Sequence, residues 1–362
     1  MTQRSTITWL FLLLAILLPS SSVASDTALI EFLDVGQGDA ILVTTPEAKT
    51  MLVDAGPSGK IVEKLQRRGL SAIDLMVISH HHFDHYGGMD DVINNFEVRN
   101  ILVTNAPHTT QRLVSLLRLI RDKEIRVLNP GEEGRTLTLG SVEVIVFPRR
   151  PTYFGNENNN SIGLRVVHGD VSVLLTGDSE PSLHRWWLQN VSSALYADCS
   201  ILKVPHHGSK NGLNQEWLQV VNPQLAVISV GSGNRYGHPD SRVVSMLHDA
   251  GATLLRTDKD GTVAVESDGK GWRLVDGSKL ARGPPVVTTS VESGRTLGVG
   301  NLVAAETLPG DAAVEEIIVY VTRTGKKYHT RSCRYGKRSN RPLTLDEARR
   351  KYDPCKICKP PQ

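Results

Sequence analysis

The sequence predicts an α/β protein in which short strands and helices alternate to build mixed sheets, followed by a small α+β module. Two observations support this prediction. Between residues 28 and 275, short runs rich in Val, Ile, Leu and Thr recur between turn residues, as strands do. Segments with the apolar period of amphipathic helices lie between these runs. Such interleaving predicts sheets covered by helices rather than an all-β or all-α fold.

The individual elements follow from the same patterns. The clearest strands are predicted over residues 29–33, 40–44, 50–54, 75–79, 100–104, 142–147, 161–167, 171–176, 201–204 and 226–230. The clearest helices are predicted over residues 62–68, 111–122, 181–189, 215–221 and 241–250. Near the end of the chain, residues 317–322 are predicted as a strand, and Thr344 and Glu347 form a capping box for a short helix through Lys351.

The first 25 residues have the composition of a secretory signal peptide. Arg4 supplies a positive start, residues 7–18 are apolar apart from Thr8, and small residues follow before the predicted cleavage site. The apolar run is shorter than the roughly 20 residues that a helix needs to cross a bilayer core. We therefore expect cleavage, no stable membrane span afterwards, and a secreted or periplasmic protein. The alternative is an uncleaved N-terminal anchor.

Composition divides the remaining chain into three parts. We predict a folded domain over residues 26–275, a flexible linker rich in Gly, Pro, Ser and Thr over residues 276–313, and a small module over residues 314–362. The net charge of +3 is unevenly distributed: residues 315–362 hold 13 Lys and Arg against 5 Asp and Glu, and the rest of the chain holds 28 against 33. A basic tail suits a polyanion such as nucleic acid, or it is simply a soluble charged module.

The strongest chemical signal is a histidine-rich loop that follows the apolar strand predicted over residues 75–79. The loop reads His-x-His-x-Asp-His, with ligand-type side chains at His80, His82, Asp84 and His85. Imidazole nitrogens and a carboxylate oxygen are ligands for zinc, manganese or iron, and this spacing can serve two adjacent ions. The alternative is a solvated histidine-rich loop that binds metal only adventitiously.

Five further segments accompany this loop along the chain. They read FLDVGQGDA from Phe32, NNNS from Asn158, LTGD from Leu175, KVPHHGS from Lys203 and NRYGHP from Asn234. Together with the loop they resemble the hydrolase domain of ComEC competence proteins, a branch of the metallo-β-lactamase fold, roughly over residues 28–265. The resemblance implies an αββα sandwich that acts as a metal-dependent hydrolase.

The resemblance also implies a centre with two divalent ions, zinc or manganese. His80 and His82 are expected on one ion, Asp84 and His85 on the other, with Asp178 bridging them. Asp84 is also a candidate catalytic residue, because a carboxylate can hydrogen-bond the attacking water. The full expected ligand set is His80, His82, Asp84, His85, Asn160, Asp178 and His207.

Alternatives stay open at three positions of this set. His207 is the favoured ligand in the Pro-His-His-Gly segment, and His206 is a second candidate ligand, a general acid or a substrate contact. Asn160 stands where many relatives have a histidine; its amide oxygen is a weaker ligand, and the asparagine run is alternatively a polar turn. His238 is expected to reach the substrate or the rim of the metal centre, or else to be a structural loop histidine.

Four other residues complete the predictions for this domain. Asp54 ends a predicted strand, and the resemblance implies that it orients the loop and its ligands. Asp34 and Asp39 flank glycines, so they either form turns or hold ligands in place. Cys199 is expected to be an inert buried thiol.

The tail module holds a second candidate metal site, made of His329, Cys333, Cys355 and Cys358. Three thiolates and one imidazole make a closed tetrahedral zinc site, and a structural metal compensates for the small core of so short a module. The segment resembles metal-binding domains of the Ada type, which implies one structural zinc. The alternative in an exported protein is a disulfide, between Cys355 and Cys358 or between Cys333 and either.

These features predict an exported metal-dependent hydrolase, a phosphodiesterase or nuclease that cleaves DNA with a metal-activated water. The basic tail is expected to contact phosphates without reading sequence. One alternative is hydrolysis of another phosphodiester, a lactone or a β-lactam, because the fold does not fix the substrate. The other is a non-catalytic protein with a weakened metal site that binds nucleic acid or a cell-wall polymer. The sequence predicts no particular protein partner.

Overall fold

The computed structural model describes residues 26–57, 59–106, 110–277, 318–322, 325–329, 333, 341–356 and 358. The predicted signal peptide over residues 1–25 lies outside the described residues, as does almost all of the predicted linker over residues 276–313. Within the described ranges, no helix combines the length and the apolar composition that crossing a membrane requires.

Strands and helices alternate along the described chain, as the sequence predicts. In chain order the strands are β1 (Ala28–Phe32), β2 (Ile41–Thr44), β3 (Thr50–Val53), β4 (Ala72–Ile73), β5 (Leu75–Ile78), β6 (Glu97–Val98), β7 (Asn100–Val103), β8 (Arg126–Leu128), β9 (Arg135–Leu139), β10 (Val142–Val146), β11 (Leu164–His168), β12 (Val171–Leu175), β13 (Ile201–Lys203), β14 (Leu225–Ile228), β15 (Thr253–Arg256), β16 (Val263–Ser267), β17 (Trp272–Val275), β18 (Ile318–Val321), β19 (Lys327–His329), β20 (Arg341–Thr344) and β21 (Asp353–Pro354). The helices are α1 (Ile61–Arg67), α2 (Phe83–Tyr86), α3 (Met89–Asn95), α4 (Gln111–Asp122), α5 (Pro181–Asn190), α6 (Gln215–Val221), α7 (Ser241–Asp249), α8 (Thr257–Asp260) and α9 (Leu345–Arg349).

Two large mixed sheets form the centre of the fold. The first has the strand order β17–β16–β1–β2–β3–β5–β7–β8, and the second has the order β15–β14–β13–β12–β11–β10–β9. Strands β3, β5, β7 and β8 run parallel to their neighbours in that series, and so do β12, β13, β14 and β15. The other neighbours in both sheets are antiparallel.

Three apolar layers make this fold an αββα sandwich and confirm the predicted fold class. The layer between the sheets takes side chains from both of them, such as Val77 and Val173. Helices α1, α3 and α4 cover the outer face of the first sheet, where Leu65 is buried. Helices α5, α6 and α7 cover the outer face of the second sheet with buried side chains such as Trp187 and Trp217.

Strand β5 shows how the sequence specifies this layering. Leu75 and Val77 belong to the layer between the sheets, whereas Met76 and Ile78 belong to the layer beneath the helices. Successive side chains of a strand point to opposite faces, and both faces are covered here, so the strand reads as an unbroken apolar run. The chain then leaves the sheet and presents His80 at its edge.

The parallel strands deliver distant segments to the same region of the molecule. Strands β3, β5, β12 and β13 end within three residues of Asp54, His80, Asp178 and His206. The carboxyl ends of parallel strands in a sheet meet at one edge, where loops on a rigid scaffold can hold functional groups. This topology is the reason that residues far apart in the sequence converge on one centre.

The strand predicted over residues 161–167 begins later than expected, at Leu164. A 3₁₀ turn at Glu157–Asn160 precedes it. The Ser161 N–H donates to the Asn158 carbonyl oxygen at 3.2 Å, and the Ile162 N–H donates to the Ser79 carbonyl oxygen at 2.8 Å. These bonds tie the asparagine run to the start of the histidine-rich loop, so the run is a turn rather than part of the strand.

The tail module forms a four-stranded sheet in the order β20–β18–β19–β21, together with helix α9. Strand β18 lies within the strand predicted over residues 317–322, and α9 ends at Arg349, two residues before the predicted end. Among the described residues of the module, the buried apolar cluster consists of Val319, Val321, Tyr328 and Ala348. A cluster of this size provides little stabilisation by burial alone.

Candidate metal centre

The first group of ligand-type residues consists of His80, His82 and Asp178, whose ligand atoms lie within 4.8 Å of one another. His80 Nε2 is 3.0 Å from His82 Nδ1 and 3.9 Å from Asp178 Oδ2. Burial, together with the neighbouring charge of His85, lowers the pKa of His80 well below its ordinary value. The imidazole of His80 is therefore neutral at physiological pH and keeps the lone pair that a metal ligand needs.

The second group consists of Asp84, His85 and His207, whose ligand atoms also lie within 4.8 Å of one another. His207 Nε2 is 3.3 Å from Asp84 Oδ2. Burial alone would raise the pKa of Asp84, but the adjacent imidazoles of His207 and His85 lower it to about 2. The Asp84 carboxylate is therefore ionised at neutral pH and available to a cation.

Asp178, which belongs to the first group, also contacts the second. Its Oδ1 atom is 3.2 Å from His85 Nε2, and its Oδ2 atom is 3.4 Å from His207 Nε2 and 3.9 Å from His80 Nε2. The carboxyl group is almost completely buried. The structure thus brings this residue to the place that a bridging ligand would require.

Buried oxygen atoms contact the Nδ1 atoms of His85 and His207. His85 Nδ1 is 2.7 Å from Asp54 Oδ2, and Asp54 also accepts hydrogen bonds from the Ser79 N–H at 2.8 Å and the Ser79 hydroxyl at 2.6 Å. His207 Nδ1 is 2.9 Å from the Ser229 carbonyl oxygen. Such partners fix the tautomer and orientation of an imidazole, so that Nε2 faces the cluster. The contacts of Asp54 agree with the orienting role predicted for it.

The backbone is strained at three of these positions. Asp54, His206 and His207 have φ values of 60°, 50° and 52°, in the left-handed region that residues with a β-carbon rarely adopt. Such conformations cost about 1–3 kcal/mol each and persist where the surrounding structure fixes them. Here the left-handed conformations orient the side chains that follow β3 and β13 toward the cluster.

Buried polar atoms without hydrogen bonds test whether this cluster fits a metal. Among the described residues, Asp39 Oδ1, His85 Nε2, Asp178 Oδ1 and His207 Nε2 are buried and have no hydrogen-bond partner. Leaving such an atom unsatisfied costs about 1–3 kcal/mol. Coordination by a cation removes that cost, and imidazole nitrogens with carboxylate oxygens are the donor set of zinc and manganese. The residues present therefore fit a divalent metal.

The pKa values of His85 and His207 also indicate that the carboxylates of the cluster favour a nearby positive charge. Burial alone would lower the pKa values of His85 and His207, but Asp178 and the neighbouring carboxylates raise both well above the ordinary value. The carboxylates of the cluster therefore draw protons to these imidazoles. A divalent cation satisfies the same carboxylates and leaves both imidazoles neutral, as metal ligands must be.

The amide of Asn160, a predicted ligand, is hydrogen-bonded within its own turn. Its Oδ1 atom accepts a hydrogen bond from the Phe154 N–H at 2.8 Å. Its Nδ2 atom donates to the Phe154 carbonyl oxygen at 3.2 Å and to Glu157 Oε2 at 3.1 Å. Both ends of the amide are engaged within the turn, so these contacts argue against Asn160 as a ligand.

Asn158 is the asparagine that faces the centre instead. Its Nδ2 atom is 3.3 Å from His206 Nδ1 and donates to Glu180 Oε1 at 2.9 Å. Its Oδ1 atom is buried and has no hydrogen-bond partner among the described residues. The three adjacent asparagines look alike in the sequence, and only the 3₁₀ turn decides which of them points inward.

The two candidate catalytic histidines lie beside the cluster. His206 Nδ1 is 3.2 Å from Glu180 Oε1, and His206 Nε2 is 3.9 Å from Asp178 Oδ2. The ring centroid of His238 is 5.7 Å from that of His206. His206 is 21% exposed, so a substrate can reach it from solvent.

Lys203 and Asp39 are two further charged residues of the centre. The sequence pattern predicts no role for Lys203. The buried ammonium group of Lys203 forms an ion pair with Asp39, donates to the Gly177 carbonyl oxygen at 3.0 Å and lies 3.7 Å from Asp178 Oδ1. Asp39 Oδ1 lies 3.3 Å from His207 Nδ1. The sequence signal was a lysine at the end of an otherwise apolar strand, where an unpaired charge would be costly.

We expect Lys203→Met to lower hydrolysis by about 10–100-fold, the usual effect of removing a residue that holds a metal ligand. The change leaves Asp39 buried without its cation and removes a neighbour of Asp178. The rate with a chromogenic phosphodiester at saturating Mn²⁺ measures the effect. Lys259→Met, at an exposed lysine of α8, is the matched control. Full activity in Lys203→Met would contradict this role.

Gly38 holds the segment after β1 against the histidine-rich loop. It has a φ of +131°, and a β-carbon there would lie 2.1 Å from the Asp84 carbonyl oxygen. The Asp39 N–H donates to the same oxygen at 3.2 Å. A side chain at Gly38 must therefore displace the backbone that carries Asp84 and His85.

We expect Gly38→Ala to weaken metal binding by about 10-fold or more, through displacement of two ligands. Competition with a chromogenic chelator measures the affinity. Gly251→Ala is the matched control, because Gly251 also has a positive φ but a β-carbon there would meet nothing within 4 Å. Equal affinities in the two variants would show that the close approach at Gly38 is unimportant.

The tail residues form a separate candidate site. The ligand atoms of His329, Cys333, Cys355 and Cys358 lie within 4.8 Å of one another. His329 Nδ1 is 3.3 Å from Cys333 Sγ and 4.0 Å from Cys358 Sγ. Cys333 forms no disulfide within the part of the chain that the structure describes. The cluster fits a zinc-binding module, as predicted.

Cys199 lies apart from both sites and is buried in the layer beneath α5, α6 and α7. Burial raises the pKa of its thiol to about 12. The predicted inert character follows, since the thiolate is the reactive form.

Residues 33–232, more than half of the chain, match the family model described as the metallo-beta-lactamase superfamily. The chain belongs to this superfamily and is a metal-dependent hydrolase by class. Its sequence is 26% identical over 254 residues to ComE operon protein 3 of Bacillus subtilis (strain 168), which covers 65% of this chain and 32% of that protein. The resemblance to competence proteins is thereby confirmed.

The chain is also similar to two further proteins. Competence protein ComA of Neisseria gonorrhoeae is 28% identical over 266 residues, which covers 70% of this chain and 35% of that protein. The chain thus spans about a third of the length of these curated relatives. Among solved structures, CmlA, a diiron beta-hydroxylase from Streptomyces venezuelae, has a TM-score of 0.43 at 18% identity and covers 63% of this chain and 52% of that chain.

Proposed function

We propose that the protein is a phosphodiesterase that cleaves DNA by hydrolysis at the metal centre. The observation that carries the proposal is the position of Asp178 between two groups of imidazoles and carboxylates. Two cations about 3.5–4 Å apart clamp the attacking and leaving oxygens of a phosphodiester and lower the pKa of bound water toward about 7. An arrangement with one carboxylate shared between two ligand groups suits this chemistry.

The ligand roles follow from the two groups. His80 and His82 would hold one ion, Asp84 and His85 together with His207 would hold the other, and Asp178 would be shared. This assignment keeps the predicted set except for Asn160, whose amide is engaged elsewhere. Asn158 Oδ1 is available as an oxygen donor in its place.

We propose that His206 transfers a proton at the solvent-facing side of the centre. Glu180 lies at its Nδ1 atom, so the Nε2 atom faces the cluster and can exchange a proton with the leaving oxygen. Asn158 holds Glu180 and the His206 ring together. His238 lies next to His206 and would contact the substrate from the rim.

Two observations support DNA as the substrate. The curated relatives that the chain matches include competence proteins by name. The tail carries 13 Lys and Arg against 5 Asp and Glu in residues 315–362, and a basic segment of this kind attracts phosphates by a sequence-independent electrostatic effect. We propose that the tail, folded around one structural zinc, holds DNA near the hydrolase domain over residues 26–275.

Incubation of the purified full chain with single- and double-stranded DNA in the presence of Mn²⁺ or Zn²⁺ tests the proposal. We expect cleavage that His82→Ala abolishes. His248→Ala is the matched control, because His248 is an exposed histidine of α7, with 89% of its side chain accessible, and lies outside both ligand groups. A protein that carries two metals per hydrolase domain but cleaves neither DNA would reject the proposal.

The same preparation distinguishes the other functions that the sequence allows. A panel of chromogenic phosphodiesters, lactones and β-lactams identifies a hydrolase with a different substrate. A metal content below one ion per hydrolase domain, together with DNA or polymer binding, identifies a binding protein instead. Deletion of residues 315–362 tests the proposed role of the tail. If the tail contacts phosphates, the deletion should lower both the affinity for DNA and the dependence of that affinity on salt concentration.

We also propose that residues 1–25 direct export and are removed. Mass spectrometry of the protein from the culture medium and the periplasm of a bacterial host measures the mature N-terminus. We expect a chain that begins near residue 26 in one of these fractions. Full-length protein confined to the membrane fraction would identify the segment as an anchor.

A further inference from the structure

We propose that Arg–aromatic pairs around the mouth of the metal centre form a binding rim for single-stranded nucleic acid. This inference rests on the proposed function and specifies its substrate. The described residues contain four such pairs: Arg112 with Phe83, Arg149 with Tyr153, Arg150 with Phe154, and Arg235 with Tyr236. The first and the last of these pairs include residues next to the candidate ligands or to His238, and the other two lie on the loop after β10, which is hydrogen-bonded to the turn at Glu157–Asn160.

The first pair is part of the histidine-rich loop itself. Phe83 stands between His82 and Asp84 in the sequence, and its ring is 43% exposed. The guanidinium carbon of Arg112 lies 4.8 Å from the Phe83 ring centroid, and Arg112 also donates to the Gly87 carbonyl oxygen at 2.8 Å. An exposed apolar ring therefore sits within one residue of two candidate ligands, beside a fixed positive charge.

The second exposed ring approaches the centre from the second sheet. Tyr236 is 53% exposed and stacks on His238, with ring centroids 5.7 Å apart. His238 contacts His206, which lies 3.9 Å from Asp178. Arg235 lies 5.1 Å over the Tyr236 ring and donates to the Tyr236 hydroxyl at 3.1 Å. A continuous series of rings thus leads from solvent to the cluster.

The other two pairs lie on the loop after β10. Arg149 is 5.3 Å from the Tyr153 ring centroid, and Arg150 is 4.4 Å from the Phe154 ring centroid. The Phe154 N–H donates to Asn160 Oδ1, in the turn that adjoins the histidine-rich loop. The same loop lines a pocket together with Pro130, Phe147 and Trp187. This segment offers both a concave surface and two guanidinium groups.

Exposed aromatic rings are the reason to favour a single strand. Among the described residues, the large apolar side chains with high exposure are Phe83, Val127, Tyr236 and Leu274, and the two aromatic ones both lie at the metal centre. Unstacked bases of a single strand can stack on such rings while arginines contact the phosphates. The bases of a duplex are stacked on one another, so their faces are not available to protein rings. A duplex would therefore gain only the electrostatic contribution to binding, from its phosphates.

Steady-state kinetics of the full chain with Mn²⁺ tests the inference. The substrates are a labelled oligothymidylate, the duplex of the same strand, and the chromogenic diester bis(p-nitrophenyl) phosphate. We expect the double variant Phe83→Ala/Tyr236→Ala to raise KM for the single strand by about 10-fold or more. Its ratio of kcat/KM for the strand to kcat/KM for the small diester should fall correspondingly.

Two further variants separate stacking from general damage. Tyr236→Phe keeps the ring and should retain the single-strand KM within about twofold, since stacking needs the ring alone. Leu274→Ala removes an exposed apolar side chain of β17 and should leave all three substrates unaffected. Equal KM values of the wild type for strand and duplex, or an equal rise for both in the double variant, would overturn the inference.

Failure of the rim can be told apart from failure of the proposed function. If the wild type cleaves DNA without preference for the single strand, the nuclease proposal stands and the rim is wrong. If the wild type cleaves no DNA, fluorescence anisotropy with the same oligothymidylate measures binding directly. Single-strand binding that the double variant loses would then support the rim without a nuclease, and absence of binding would reject both.

Discussion

Asp178→Asn is expected to abolish hydrolysis and to lower the metal content of the hydrolase domain. Among the described residues, Asp178 is the one carboxylate that lies within 4 Å of histidine nitrogens from both ligand groups, at His80, His85 and His207. Loss of a residue that merely holds a ligand costs about 10–100-fold. Loss of the shared ligand should therefore cost more, at least about 10³-fold in kcat with the chromogenic diester.

Metal analysis and kinetics on the same preparation check this expectation. Asp170→Asn is the matched control, because Asp170 is exposed in the turn between β11 and β12. It should keep full metal content and full activity. If Asp178→Asn keeps both as well, the two groups of residues are not a catalytic metal centre.

Cys355→Ser is expected to remove zinc from the tail and to unfold the tail sheet. Among the described residues of the module, the apolar cluster contains four buried side chains, which is far below what a stable small domain needs. Zinc contributes about 10–16 kcal/mol of binding free energy in comparable small modules, and that free energy is available only to the folded state. Without one thiolate, the closed tetrahedral site is lost.

Zinc content and the rate of proteolysis of the tail measure this effect. Cys199→Ser is the matched control, since Cys199 is buried in another layer of the protein and belongs to neither candidate site. It should leave one zinc in the tail. Reactivity of fewer than three tail thiols with an alkylating agent in the metal-stripped, unfolded protein would instead show a disulfide and contradict the zinc site.

The sequence predicts most of the secondary structure because both sheets are covered on both faces. Strands such as β5 and β14 are unbroken apolar runs with turn residues on each side, and α4 and α6 have clear periodicity and defined ends. The sequence pattern does not predict helix α3, because its two aspartates and two asparagines leave only a short apolar stripe at Met89, Val92 and Ile93. Its place is set by packing against the first sheet rather than by local preference.

The candidate site was predictable where the ligands share one loop or end an apolar strand. His80, His85 and Asp178 are of this kind. The contributions of Lys203 and Asn158 depend on contacts between residues that are far apart in sequence, or on the exact rotation of a 3₁₀ turn. No periodicity or spacing in the sequence encodes such contacts. The sequence therefore predicts a ligand role for Asn160, whereas in the structure its amide is hydrogen-bonded to Phe154 and Glu157.

Diffraction from crystals of the full chain with Mn²⁺, recorded with the anomalous signal of the metal, tests the metal centre most directly. We expect two peaks, one within coordinating distance of His80 and His82 and one within coordinating distance of Asp84 and His207, with Asp178 contacting both. A single peak, or none, at this edge of the sandwich in crystals that show metal elsewhere would contradict the two-ion centre.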